Sequence, residues 1–256
     1  GYPTPNRAHF RSMDIWHTAE PNKVGSKGWL GQAIKDIDPS GDNVVTAVNF
    51  SEYLPRALVA PDVPVTSVGD INNYGLFTSI SDEANKTKAM DTFKRFYSPV
   101  IGNDFTMNYL GKTGLDAAKG IDIINEAPKL YKSNIEYPDT NIAKQLKGVA
   151  QVHFANFGTR IFYVNHGGFD THTNEVVLQE YLWQQLSDAL SSFFEDLNIK
   201  NFDPYFDAPT TLAKTFSLRG VPTSILIDKE GKEFARIIGS IDFDDKIFIN
   251  WLKTYN

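Results

Sequence analysis

One stretch in the middle of the chain constrains the fold more than any other. It covers residues 158–175 and reads GTRIFYVNHGGFDTHTNE. Its first half, residues 159–164, is dominated by Ile, Phe, Tyr and Val, which is typical of a strand buried on both faces of a parallel sheet. The chain then breaks at Gly167 and Gly168. We therefore predict a buried parallel strand that ends in a glycine loop.

The loop after this strand carries residues that point to chemistry. Asp170 and His172 follow the two glycines, and His166 precedes them on the other side of the same loop. In an open α/β sheet, ligands bind at the loops beyond the carboxyl ends of the strands. Carboxylates and imidazoles are common metal ligands there. Asp170 and His172 are therefore candidates for metal ligation, and His166 is a further candidate.

Helical patterns flank this strand on both sides. A helix capped by Asp139 or Thr140 is predicted before it, and His153 is interpreted as a core residue of that helix rather than a ligand. After the strand, apolar residues recur at helical spacing at positions 177, 178, 181, 182, 186, 189, 190, 193 and 194. This second helix is expected to cover the sheet. Helix, strand, loop and helix together predict one crossover unit.

Shorter patterns precede this unit. Residues 44–50 and 65–68 predict two more strands. Helices are predicted at residues 10–18, 32–37, 81–97 and 106–131, and the second of them ends in the turn-forming run DPSGD. This mixture of helices and strands indicates an α/β fold.

Composition excludes several classes of function. The formal charge of −6, from 25 Lys and Arg against 31 Asp and Glu, argues against a nucleic-acid-binding surface. No apolar run reaches the length of a membrane span, and the opening GYPTPNRAHF lacks the character of a signal peptide. Zero cysteines exclude disulfides, thiolate zinc sites and dithiol redox chemistry.

A histidine near the start of the chain has two readings. His9 lies close in sequence to Asp14 and His17 and follows two prolines. It is either a ligand or a residue that caps or braces the turn after the prolines. The sequence leaves both readings open.

Several motifs, in this order, resemble a known family. They are NRAHFRSMDIWHTAEP followed by GWLGQ, YP leading into IAKQLKGVAQ, and GGFDTHTNE followed by LSDALSSFFEDL. Through them, residues 1–197 resemble the bacterial family called domain of unknown function 1501, which is similar to sulfatases and alkaline phosphatases. The resemblance implies a three-layer α/β/α sheet, export to the periplasm, and a two-metal hydrolase site for phosphate or sulfate esters.

The resemblance also implies roles for individual residues. Asp170 and His172 match the motif of the family and look like ligands of divalent ions such as zinc, magnesium or calcium, with His9 and His166 as additional candidates. In the superfamily, two such ions clamp the attacking and leaving oxygens while a hydroxyl or its equivalent serves as nucleophile.

Departures from the family predict an incomplete site. Family members carry a serine where this chain has Ala8, so no catalytic residue is assigned. The first strand of the family, with a metal-binding aspartate, is expected before Gly1. The later segment, with a Ser-Glu-Phe-Gly-type motif and an Asp-His pair, is expected after Leu197 but does not follow. A two-metal site needs roughly six or more protein ligands, so we expect an incomplete domain.

From residue 198 the sequence changes character. It predicts a helix, strands at residues 221–227 and 233–238, and an amphipathic helix from Asp244. The motif RGVPT followed by SILIDKEGKEFAR resembles the C-terminal half of an exported thioredoxin-like domain of the thiol-disulfide interchange type. The resemblance implies a cis bond between Val221 and Pro222, beside Thr223, in a loop that binds extended peptide.

These observations lead to two classes of function. The first hypothesis, which we prefer, is a fusion of two incomplete domains, residues 1–197 and 198–256, without catalytic turnover; at most, the thioredoxin-like part binds peptide without redox activity. The second is an active metal-dependent hydrolase of phosphate or sulfate esters. Because the second part is marginally stable alone, we expect it to pack on the first part, to be completed by another chain, or to leave one face of its sheet uncovered.

Overall fold

The structure is a computed structural model that describes residues 8–98, 104–201, 211–219, 223–239 and 241–255. Contacts between residues divide the chain into two compact units, Ala8–Phe202 and a second unit formed by Asp203–Asn256 with Gly1–Arg7. The boundary inferred from the sequence lies shortly before this division. The assignment of the two parts to families stays a prediction.

The first unit contains a small parallel sheet. β1 (Ala47–Asn49) lies in the middle, with β2 (Thr66–Ser67) on one side and β3 (Ile161–Tyr163) on the other. Both pairings are parallel, and their register brings the last residues of the three strands level with one another. The three strands therefore end at the same edge of the sheet.

The strand predicted at residues 159–164 is present, but it is less buried than expected. β3 pairs with β1 alone in the described sheet, and its three residues are half-buried. β1, which has a neighbour on each side, is buried throughout. The prediction of a strand buried on both faces is therefore wrong, because β3 lies at the edge of the described sheet.

Helices make up most of the first unit. They are α1 (His9–Thr18), α2 (Trp29–Ile37), α3 (Glu83–Phe96), α4 (Phe105–Ile124), α5 (Ala127–Leu130), α6 (Asn141–Ala155) and α7 (Glu175–Asp196). The helices predicted from the sequence are confirmed, with ends shifted by a few residues. Short 3-10 turns lie at Arg56–Leu58 and Ile71–Asn73. No helix in the described part of the chain is long and apolar enough to cross a membrane.

The core of the first unit lies on both faces of the sheet. On one face, Val48 belongs to a buried cluster with Ile124 of α4 and Val149 of α6. On the other face, Ala47 packs with Ile34 of α2 and with Leu58. Successive residues of a strand point to opposite faces, so β1 is covered from both sides. The coarse class, a mixed α/β fold with a small parallel sheet, is thus confirmed.

Helix α6 is positioned by its cap and by its apolar stripe. The Thr140 hydroxyl accepts a hydrogen bond from the Ala143 amide at 3.3 Å, which confirms the predicted cap. His153, however, is exposed, so its prediction as a core residue is wrong. Val152, one residue earlier, takes the buried position, and each residue of a helix is rotated by roughly 100° from the last.

Helix α7 covers less of the sheet than predicted. Its C-terminal half packs on α6, where Ala189 joins a buried cluster with Ile142 and Leu146. Its N-terminal half is open to solvent, and Val177 and Tyr181 are 69% and 60% exposed. The predicted helix is confirmed, but it covers the sheet only in part. The described sheet ends at β3, and only part of the apolar stripe of α7 packs against other residues.

The described residues of the second unit form a β-hairpin, two short helices and a 3-10 turn at Lys253–Tyr255. β4 (Thr223–Ile227) and β5 (Glu233–Ile238) are antiparallel, with α8 (Thr211–Thr215) before them and α9 (Lys246–Leu252) after them. These elements confirm the order predicted from the sequence. None of the described residues from 211 onward is buried. The described residues of this part therefore form no closed hydrophobic core.

Candidate functional site

The carboxyl ends of β1, β2 and β3 form the edge at which open α/β sheets bind ligands. Asn49, the last residue of β1, is fully buried there. Its Nδ2 atom donates hydrogen bonds to the Ser67 hydroxyl at the end of β2 and to the carbonyl oxygen of Tyr53, both at 3.0 Å. This side chain fixes the loops that leave β1 and β2 against each other.

The predicted loop after β3 begins at this edge and is held on α7. The Nε2 atom of His166 lies 2.8 Å from the carbonyl oxygen of Leu182, so it donates a hydrogen bond there. Gln179 of α7 donates to the carbonyl oxygen of Phe169 at 2.9 Å. Gly168 adopts a φ angle of 94°, which favours glycine. His166 therefore fixes the loop through Nε2. Of its two ring nitrogens, only Nδ1 is left to coordinate a metal ion.

Asp170 and His172 lie beyond this fixed part of the loop. The Nδ1 atom of His172 is 3.5 Å from Oδ1 of Asp170, and the two side chains are 78% and 68% exposed. Two exposed side chains next to each other can share one ion weakly, but most metal sites in proteins have at least three protein ligands. The loop therefore supplies a pair of ligands rather than an enclosed site.

His9 does not complete this pair. It lies at the exposed start of α1. In the described ranges, no group of three or more His, Asp or Glu side chains is arranged to hold a metal ion. The described residues thus do not fit a two-metal centre, and the assignment of Asp170, His172, His9 and His166 as metal ligands stays a prediction.

The carboxylate of the same early motif has a structural role. Asp14 is buried in α1, where Arg11 of the same helix forms an ion pair with it. Arg56, in the 3-10 turn after β1, places Nη1 2.6 Å from the other oxygen of this carboxylate. A buried carboxylate held by two guanidinium groups anchors α1 to that turn.

The peptide-binding loop predicted in the second unit lies mostly outside the described residues. Val221 and Pro222, and with them the predicted cis bond, are not in the described ranges. Thr223 is the first residue of β4. The prediction for these three residues stays open.

A cavity of about 510 Å³ lies at the carboxyl ends of β1 and β2. Phe50, the residue after β1, forms part of its wall, as do the loop from Gly69 to Asn72 and one side of α6. This volume is in the range of small-molecule sites, roughly 300–1,000 Å³. The cavity is therefore large enough for a metabolite-sized ligand.

Charged groups of both signs line this cavity. Lys144 of α6 forms an ion pair with Asp139 at 2.6 Å. A hydrogen bond from Lys144 holds the pKa of Asp139 below its usual value, and the same contact raises the pKa of Lys144. Asp70 and Lys147 add one further charge of each sign. With two carboxylates and two ammonium groups, the charged side chains of the cavity sum to zero.

One wall of the cavity is an aromatic ring with a fixed orientation. The Tyr137 hydroxyl donates a hydrogen bond to Oδ2 of Asp196 at the end of α7, 2.8 Å away. Burial and this hydrogen bond raise the pKa of Tyr137 above its ordinary value, so the hydroxyl stays protonated. Next to it, the Gln145 side chain bonds both the amide and the carbonyl of Asn165, at 2.7 and 2.8 Å. These bonds join the cavity wall to the start of the loop after β3.

This cavity was not predicted from the sequence. Asp70 follows the predicted strand at residues 65–68, and a carboxylate after a parallel strand was a usable signal. A second usable signal was the position of Gln145 and Gln151 next to the apolar stripe of α6. Carboxamides in such positions are buried and need hydrogen-bond partners.

Comparisons with protein-family models, curated proteins and solved structures give no match for this chain.

Proposed function

We propose that this chain is a fusion of two incomplete domains and does not catalyse turnover by itself. The observation that supports this best is the arrangement of Asp170 and His172. They form an exposed pair without a third ligand in the described residues. A centre that activates water or clamps an ester needs ions held by more side chains than these.

The packing of each part supports the same proposal. In the first unit, helices lie on both faces of a three-stranded sheet, as expected for part of a three-layer sulfatase or alkaline-phosphatase-like domain. In the second, the hairpin of β4 and β5 followed by α9 is the arrangement expected for the C-terminal half of a thioredoxin-like domain. The chain has no cysteine, so this half has no thiol-disulfide activity.

The alternative is an active metal-dependent hydrolase, and one experiment separates the two. The purified full chain is incubated with zinc, magnesium or calcium and assayed with an aryl phosphate and an aryl sulfate. We expect the same background rate for the wild type, Asp170→Asn and His172→Gln. We also expect a metal Kd above about 10 μM, because two exposed ligands give little binding energy.

The matched control is Asp188→Asn on the exposed side of α7, which changes the same type of residue away from the loop. A metal-dependent rate that falls by about 100-fold or more in Asp170→Asn and His172→Gln, but not in the control, would contradict the proposal. That result would establish the hydrolase, with Asp170 and His172 as metal ligands.

A further inference from the structure

The strongest unassigned feature of the molecule is the cavity beside α6, because it holds a polar group without a partner. Gln151 lines the cavity and is only 6% exposed. Its Oε1 atom is buried and accepts no hydrogen bond from the described residues. An unpaired buried acceptor destabilises the folded state, because it has lost its hydrogen bond to water. This oxygen lies beneath the cavity surface, so the Gln151 side chain must turn towards the cavity before a ligand O–H or N–H group can bond it and remove that destabilisation.

The charge of the cavity limits what such a ligand can be. Lys144 is already paired with Asp139, and the two other charged residues of the lining, Asp70 and Lys147, carry opposite charges. An anion such as a phosphate or sulfate ester is attracted by a surplus of positive charge, which this cavity lacks. A cation has no surplus of carboxylates to bind either. The balance favours a ligand without net charge.

The polar groups and an aromatic ring further define the ligand class. Asp70 and Asp139 are hydrogen-bond acceptors, while Asn72 and Asn141 each offer a donor and an acceptor. Hydroxyl groups complement such a mixture because each one donates and accepts. The half-buried, fixed ring of Tyr137 adds apolar surface for carbon-bound hydrogens. Several hydroxyls on an apolar ring are the chemistry of a sugar.

We propose that this cavity binds a neutral saccharide, with the buried carboxamide of Gln151 accepting a hydrogen bond from one of its hydroxyls. The volume of about 510 Å³ accommodates a ligand of mono- or disaccharide size. This site goes beyond the proposed absence of turnover, since binding of a sugar requires neither Asp170 nor His172.

The test uses the full chain and a panel of maltose, cellobiose and N,N′-diacetylchitobiose, with inorganic phosphate and sulfate as anionic probes. Binding is measured by saturation-transfer NMR and by titration calorimetry. We expect at least one of the three sugars to bind with a Kd of about 0.1–10 mM, more tightly than either anion. Failure of all three sugars to bind at about 10 mM, or tighter binding of the anions, overturns the proposal.

Two substitutions locate the binding. Gln151→Leu removes the buried acceptor and keeps the side-chain size, so we expect affinity to fall about tenfold or more without loss of stability. Gln184→Leu is the matched control on the exposed side of α7, and it should bind as the wild type does.

If Gln151→Leu does not fold, Asn72→Ala at the exposed rim provides the second test. We expect it to weaken sugar binding by about threefold or more without changing the unfolding midpoint. Unchanged affinity in a folded Gln151→Leu, or in Asn72→Ala where the former does not fold, overturns the assignment to this cavity.

Discussion

Asp196 connects two tyrosines from the segment between α5 and α6. Its Oδ2 atom accepts hydrogen bonds from Tyr131 at 2.5 Å and from Tyr137 at 2.8 Å. Deprotonating either hydroxyl would bring a phenolate next to the carboxylate. Burial, followed by the hydrogen bond to Asp196, raises the pKa of Tyr131 from 10.0 to about 12. The last turn of α7 is thus attached to this segment by bonds that exist only while the tyrosines are protonated.

This raised pKa predicts a pH dependence of stability. The unfolded chain releases the Tyr131 proton near 10.0 and the folded chain near 12. The stabilisation is therefore fully present below pH 10 and is lost as the pH rises towards 12. We expect Tyr131→Phe, measured by urea unfolding over this interval, to lose stability less steeply than the wild type. Equal pH slopes for the two proteins, or a tyrosinate titration with no group near 12, would contradict the assignment.

At the scale of the element, the docking of α6 on β1 depends on one glycine. A Cβ atom at Gly148 would lie 2.6 Å from Cε1 of Phe50. The Phe50 ring is 4% exposed and has little room to move. Alanine gains up to about 1 kcal/mol over glycine in a helix, but overpacking of a buried ring costs about 1–3 kcal/mol. The packing cost is expected to exceed the helix gain.

We therefore predict that Gly148→Ala lowers the free energy of unfolding by about 1–2 kcal/mol, measured with urea. In a double-mutant cycle, the loss should be smaller when Phe50 is replaced by Leu, since the smaller side chain leaves space for the added methyl. A stabilised Gly148→Ala, or a loss of the same size in both backgrounds, would show that this contact does not position α6.

The elements also show which parts of the fold could be predicted from sequence. The start of α6 at Thr140 was predictable because a cap is a local signal. The burial of β3 was not, because it depends on the number of neighbouring strands, and the run IFYV carries no information about them. The open half of α7 has the same cause. Its apolar stripe gives a helix, but whether a partner covers Val177 is decided elsewhere in the chain.

For the molecule as a whole, the functional edge of the sheet was predictable from the sequence, but the residues that line the cavity at this edge were not. Asp170 and His172 follow β3 as expected from the glycine loop. The cavity was missed because its walls come from distant segments, the loop after β2 and one side of α6. The burial of Gln151 arises only when these segments pack together, and the spacing of residues within α6 does not encode it.

The two units predict a large difference in local stability along one chain. The first unit contains the buried clusters around Val48 and Ile142, whereas none of the described residues from 211 onward is buried. A two-stranded hairpin without a core opens readily. In hydrogen-exchange measurements on the full chain, we expect amides in the middle of α6 to be protected at least about 100-fold more than those of β5. Amides of the exposed α3, which has no buried residue, serve as an internal reference for a helix outside the core.

Protection of β5 equal to that of α6 would mean that the second unit is covered after all, by the first unit or by another copy of the chain. Dilution distinguishes these two sources, because only cover by another copy depends on protein concentration.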